Sequence, residues 1–189
     1  FVVAAPAGSS LDALARTIGD RLKERVGQPI IVENKPAAGG TVATAEVAKA
    51  TPDGYTMLLG FNGPLAFGPL LSKLPYDVAR DLVPVIITSS QPNVLAVNAA
   101  LPIRNVQELV AYAKANPGKV NYASVGPGSS SHLNMELLKS VAGIDAVHAP
   151  FNGSPPAVTA TVQGETQMMF AVMQPLQAQI QAGKLRALA

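Results

Sequence analysis

The chain has 189 residues, 48% hydrophobic and 14% charged, a composition that builds a packed core and excludes a disordered chain. Fourteen Lys and Arg against twelve Asp and Glu leave a net charge of +2 with no basic run, so nothing points to a nucleic-acid partner. There is no cysteine, which excludes disulfides, Cys-ligated zinc and thiol catalysis, and no apolar run reaches the roughly 18 residues of a membrane span.

FVV at the start reads as the end of a strand. Ser9, with Asp12 three residues on, forms a capping-box pattern, and Leu11, Leu14, Ile18, Leu22 and Val26 follow at helical spacing until Gly27 and Pro29 stop them. Residues 30–32 predict a short strand, 36–40 a turn and 41–50 a small helix. Pro52-Asp53-Gly54 turns the chain into a strand over 55–59, then come a loop over 60–64 and a helix over 65–72. Residues 83–88 and 94–97 predict two strands joined by a polar turn.

Beyond Asn98 the pattern restarts, which predicts two α/β lobes, residues 1–98 and 99–189. Asn105 with Glu108 forms another capping box, Leu109, Val110 and Ala113 give an apolar stripe, and Asn116-Pro117-Gly118 ends the helix. Strands are predicted over 120–123, 146–149, 166–170 and 185–189, and helices over 132–141, 157–163 and 176–182. Both ends read as cut inside the fold, with no basic leader or cleavage site before Phe1. The chain therefore reads as a fragment whose first lobe lacks strands.

Four loops that leave strands and enter helices are rich in Gly, Ser, Asn and Pro: residues 6–10, 60–64, 124–131 and 152–156. In open α/β sheets this edge forms the binding crevice, and helix N-termini offer free N–H groups that hold anions without Lys or Arg. SVGPGSSSH is the richest of the four. Gly126 and Gly128 allow tight turning, and Ser129, Ser130 and Ser131 add hydroxyls. On residues alone, a carboxylate or phosphate site and a plain capped helix both fit it. Asp12 reads as a capping or hinge-facing group, and Asn62, Asn152 and Ser154 as ordinary loop residues.

Enzyme motifs fail. The Gly126 turn ends in Ser131 where a dinucleotide fingerprint needs Gly, and there is no Walker A lysine or Gly-x-Ser-x-Gly elbow. Ser129 or Ser130 with His132 would make an α/β hydrolase only with an orienting acid, and none is identifiable. His148 reads as a satisfied, partly buried histidine, and no His/Glu cluster has metal-ligand spacing. No catalytic residue, metal or cofactor is expected.

In order along the chain, PAGSSLDALAR, GQPIIVENKPAAGG, PDGYTMLLG, KLPYD, NPGKVNYAS, GPGSSSH and AGKLRALA resemble the Bug/TctC family, the extracytoplasmic solute receptors of tripartite tricarboxylate transporters. The resemblance implies a two-lobed α/β periplasmic-binding-protein (type II) fold with an inter-lobe cleft, here lacking its C-terminal third. It also implies a monomer in the periplasm that captures a small organic carboxylate for membrane transporter subunits, its signal peptide absent from this segment. A sensor or co-receptor for a signalling system would use the same pocket.

The family's ligand loops fall on Pro6, Ala7, Gly8 and Ser9; on Phe61, Asn62 and Gly63; on Ser124, Gly126, Ser129, Ser130 and His132; and on Asn152 and Gly153, with Ser154 following. Ala5 and Ser9 stand where relatives carry an aromatic residue and a second glycine. Ala171 stands where the strand commonly ends in Asp, which removes an acceptor for a ligand ammonium and directs the expectation to a plain organic acid.

Overall fold

The computed structural model describes residues 1–189, which form two compact units, Phe1–Thr88 and Ser89–Ala189. In the first, β1 (Val2–Val3) lies between β2 (Glu33–Asn34) and β3 (Leu58–Leu59) in a parallel sheet. Alternate residues of a strand face opposite sides. Val2 and Ala4 accordingly pack on Ala43 of α2 (Thr41–Lys49), while Val3 packs with Leu59 on Ala15 of α1 (Ser10–Val26). Ser9 caps α1 by accepting the Asp12 N–H, and Gly27, at φ 68°, closes it with its N–H on the Lys23 carbonyl.

Several expectations for this unit are corrected. The second strand is at 33–34, not 30–32: the Phe1 and Val3 carbonyls accept from Glu33 and Lys35, while Ile31 is 70% exposed. The third strand shrinks to two residues and leaves Tyr55 exposed. The helix expected over 65–72 is present but starts two residues earlier, as a π-helical turn, Gly63–Phe67, that runs into α3 (Gly68–Leu71). A short α4 (Val78–Asp81), capped by Asp77, was not expected. Residues 83–88 are not a strand. A strand needs a neighbour's ladder of N–H and C=O groups; here no strand pairs with the segment, and Val83 and Ile87 are 88% and 87% exposed.

The second unit holds β4 (Asn93–Asn98), β5 (Asn121–Ser124), β6 (Val147–Pro150), β7 (Met168–Val172) and β8 (Leu185–Ala187) in the order β6-β5-β7-β4-β8. β4 runs antiparallel to β7 and β8, while β5 is parallel to β6 and β7. Because β4 is laddered into this sheet, the units divide after Thr88 and not at Asn98.

On one face Leu95, Val97, Tyr122 and Met168 pack with Leu109 and Ala113 of α5 (Val106–Ala115) and Met135 of α6 (Ser130–Ala142). On the other, Ala96, Ala123 and Met169 pack with Ala157 and Val158 of α7 (Ser154–Gln163) and Leu176 of α8 (Met173–Gln181). The last three helices start two or three residues earlier than expected, at or next to their capping residues, because their apolar stripes begin only part-way through the first turn.

Buried Asn98 ties β4 to α7. Its amide donates to the Thr161 and Val162 carbonyls at 2.8 and 3.1 Å and its Oδ1 accepts the Ala100 N–H at 2.8 Å. Asn98→Ala is expected to cost about 1–2 kcal/mol in denaturant unfolding, since it strands carbonyls at the helix end. An unchanged midpoint would show that water replaces the side chain.

Candidate functional site

β5 and β6 end side by side, Ser124 opposite Pro150, and the Phe151 N–H donates to the Ser124 carbonyl at 3.0 Å. The loops entering α6 and α7 thus leave the carboxyl edge of the second sheet together. Hydrogen bonds fix the first of them along its length. The Ser124 hydroxyl accepts the Gly126 N–H at 3.1 Å, and Ser131 Oγ accepts the Val125 N–H at 3.0 Å. Ser129 donates its hydroxyl to the Gly126 carbonyl at 2.6 Å and caps α6 by accepting the His132 N–H. His132 Nδ1 accepts the Gly128 N–H at 3.1 Å. Gly126 and Gly128, at φ 126° and 74°, hold a backbone that residues with a Cβ rarely adopt.

These bonds sort the serines. Ser124, Ser129 and Ser131 are buried and spent on shaping the loop. Ser130 is half-buried and its hydroxyl has no partner in the chain; the N–H groups of Ser130 and Ser131 are likewise free at the start of the 13-residue α6. Three donors at the positive end of a helix dipole are suited to a carboxylate. Next to it, Gly153 opens α7 at φ 108° with Asn152 exposed.

Beneath the loop, three flat rings stack: Tyr122 on His148 at 4.8 Å and His148 on His132 at 4.2 Å, all within 15° of parallel. His148 Nε2 lies 2.6 Å from Ser124 Oγ. The Tyr122 hydroxyl donates to Glu136, which also accepts from Lys139 at 2.8 Å. Burial pushes His148 down to about 4, with neighbouring His132 and Lys139 adding to the fall against the pull of Glu136. Burial likewise lowers His132, partly offset by Glu136. Glu136 is acted on upward by burial, but hydrogen bonds from Lys139 and Tyr122 prevail and hold it below its ordinary value.

In the first unit, Pro6, Ala7, Gly8 and Ser9 follow β1, and Phe61, Asn62 and Gly63 follow β3, so both loops lie at the carboxyl edge of that sheet. Buried Asp12 accepts the Gly8 N–H at 3.0 Å, and its other oxygen forms an ion pair with Arg16 at 3.0 Å outside hydrogen-bond geometry. Burial acts to raise the Asp12 carboxyl, but Arg16, Gly8 and Asn34 outweigh it and hold it low. Ser9 is buried as a cap, and Asn62 is exposed. Gly40, at φ 89°, brings the turn before α2 against these loops; a Cβ there would meet Ala4, Phe61 and Pro64 at 3.1 Å each.

Ser124, Gly126, Ser129, Ser130 and His132 therefore form one structure, with Asn152 and Gly153 beside it. Ala171 is the next-to-last residue of β7, which runs parallel beside β5 and ends at the same carboxyl edge. It is buried in the apolar cluster with Ala96, Ala123 and Leu176. Sequence reading missed Tyr122, Glu136 and Gly40. The signal available for Gly40 was its place in a Gly pair between strand and helix; nothing local marks Tyr122 or Glu136.

Residues 14–189 match the family described as the tripartite tricarboxylate transporter family receptor, TctC. A UPF0065 protein of Bordetella pertussis is 41% identical over 182 residues, covering 96% of this chain and 56% of its own length. The chain thus spans little more than half of that relative. An R. palustris protein solved with adipate superposes with a TM-score of 0.95 at 33% identity, over all of this chain and 64% of its own. The periplasmic binding protein BugD gives 0.88 at 31% identity, over all of this chain and 63% of its own. The fold is the α/β fold of periplasmic binding proteins, and the chain belongs to the TctC family of tripartite tricarboxylate transporter receptors.

Proposed function

We propose that this chain is the ligand-capturing part of a periplasmic receptor that holds a small organic carboxylate unchanged and delivers it to a tripartite tricarboxylate-type membrane transporter. The observation that carries the proposal is the start of α6, where the Ser130 hydroxyl and the Ser130 and Ser131 N–H groups are free while every other serine of the loop is used internally. Adipate bound to the R. palustris relative supports a dicarboxylic acid. The apolar surroundings of Ala171 offer a ligand ammonium no acceptor, which favours a plain acid over an amino acid.

The hydrogen bonding also speaks against hydrolysis. Ser129 gives its proton to a carbonyl, His132 Nδ1 is occupied by a backbone N–H, and Glu136 engages Tyr122 and Lys139 and neither imidazole. Ser124 does meet His148 Nε2 at 2.6 Å, but it is fully buried and no carboxylate bonds that ring, so the acid of a nucleophile–base–acid relay is missing.

Calorimetric titration of the complete protein with adipate, shorter and longer dicarboxylates and 2-aminoadipate tests this reading. Binding of a plain acid, recovered unaltered, is the expected result, and Ser130→Ala should weaken it by about 1.5 kcal/mol, roughly tenfold. Conversion of the acid, selective uptake of the amino acid, or an unaffected Ser130→Ala affinity would contradict it.

A further inference from the structure

The two histidines under the loop are each committed to a particular protonation pattern. His132 Nδ1 accepts a backbone N–H from Gly128 at 3.1 Å, so that nitrogen carries no proton and a neutral ring must carry it on Nε2. Ser124 Oγ, fully buried, already accepts the Gly126 N–H. Its own proton then has one partner within reach, His148 Nε2 at 2.6 Å, so His148 is bare on Nε2 and protonated on Nδ1.

We propose that His132 and His148 are positioning residues for the loop of residues 124–131, each holding a loop donor on an unprotonated ring nitrogen, so that protonating either ring undoes the loop and releases the carboxylate. This rests on the reading of that loop as the carboxylate site. A protonated His132 would set Nδ1–H against Gly128 N–H, donor against donor. A protonated His148 would force the Ser124 proton away from its acceptor.

The groups facing the rings are few. From α6 come Glu136, which favours a charged ring, and Lys139, which opposes it; from β5 comes Tyr122, and His132 opposes charge on His148. Burial lowers both rings, and His132 adds to the fall at His148. Glu136 is itself bound to Tyr122 and Lys139, which limits its pull.

The test is nitrogen-15 spectroscopy of the imidazoles in the complete protein, without ligand, from pH 8 to pH 4. Expected are opposite tautomers, Nε2–H for His132 and Nδ1–H for His148, with the Gly128 amide titrating together with His132 and the Gly126 amide with His148. In His132→Asn, whose Oδ1 takes the place of Nδ1, the Gly128 amide should stay protected from hydrogen exchange and lose its pH step. In His132→Phe that protection should fall at least tenfold. An Nδ1–H tautomer at His132, a charged ring at pH 7, or Gly128 exchange indifferent to His132→Phe would overturn the proposal.

Titrating adipate into the same samples separates the two readings. Affinity that falls as the rings protonate supports both. No adipate or other dicarboxylate binding at any pH would remove the carboxylate site while the tautomers and Gly128 still decide the positioning role. Binding that ignores ring protonation would overturn the release claimed here and leave the site standing.

Discussion

Tyr122→Ala is expected to destabilise the protein by about 3–5 kcal/mol, the range for emptying a large buried aromatic site. Tyr122 is fully buried in the main core of the second unit, and its ring carries His148 and, through it, His132. The substitution therefore opens a cavity and removes the floor of the loop in one step. Tyr122→Phe separates the two contributions. It keeps the stack and loses only the hydroxyl bond to Glu136, for about 1–2 kcal/mol, and leaves Glu136 with Lys139. Urea unfolding with both variants checks this; equal losses from Ala and Phe would mean that the ring contributes nothing beyond its hydroxyl.

Acidification should remove about 1 kcal/mol of stability between pH 7 and 5 and about 1.5 kcal/mol by pH 4, roughly half of what the undiscounted fall of His148 would give. These figures allow for the partial exposure of the rings. Both histidines are depressed in the folded protein from the ordinary 6.5, His148 to about 4. Between those values the unfolded chain binds more protons than the native one, so stability rises with pH. The contribution is fully present above about pH 6.5 and is lost as the pH falls toward 4. Carboxylates barely titrate between pH 6.5 and 5, which makes that window specific to the histidines. His148→Gln should flatten the slope there in urea unfolding followed at several pH values. A flat slope in the parent protein would contradict the account.

The sequence showed where chemistry would sit more clearly than how it is built. Capping pairs at Ser9 with Asp12 and at Asn105 with Glu108 are local, and the structure has both. The loop at Gly126 was visible because tandem small residues between a strand and a helix have few other uses. Within it the roles could not be separated, because three consecutive serines look alike until the turn directs Ser129 and Ser131 inward and leaves Ser130 free.

His148 is 16 residues from His132, and only the pairing of β5 with β6 brings the rings together. The strand expected over 83–88 failed for a related reason. Val83, Val85, Ile86 and Ile87 have strand character, but a strand is a property of a pair, and none is formed there.

The central claim is that a carboxylate sits on the first turn of α6. Amide shift mapping of the complete protein during an adipate titration tests it most directly. The expected result is that the Ser130 and Ser131 amides move furthest and saturate with the calorimetric affinity, while the amide of Asp20, out on the exposed face of α1, stays fixed. Saturable binding that leaves Ser130 and Ser131 unmoved would place the ligand elsewhere and contradict the account.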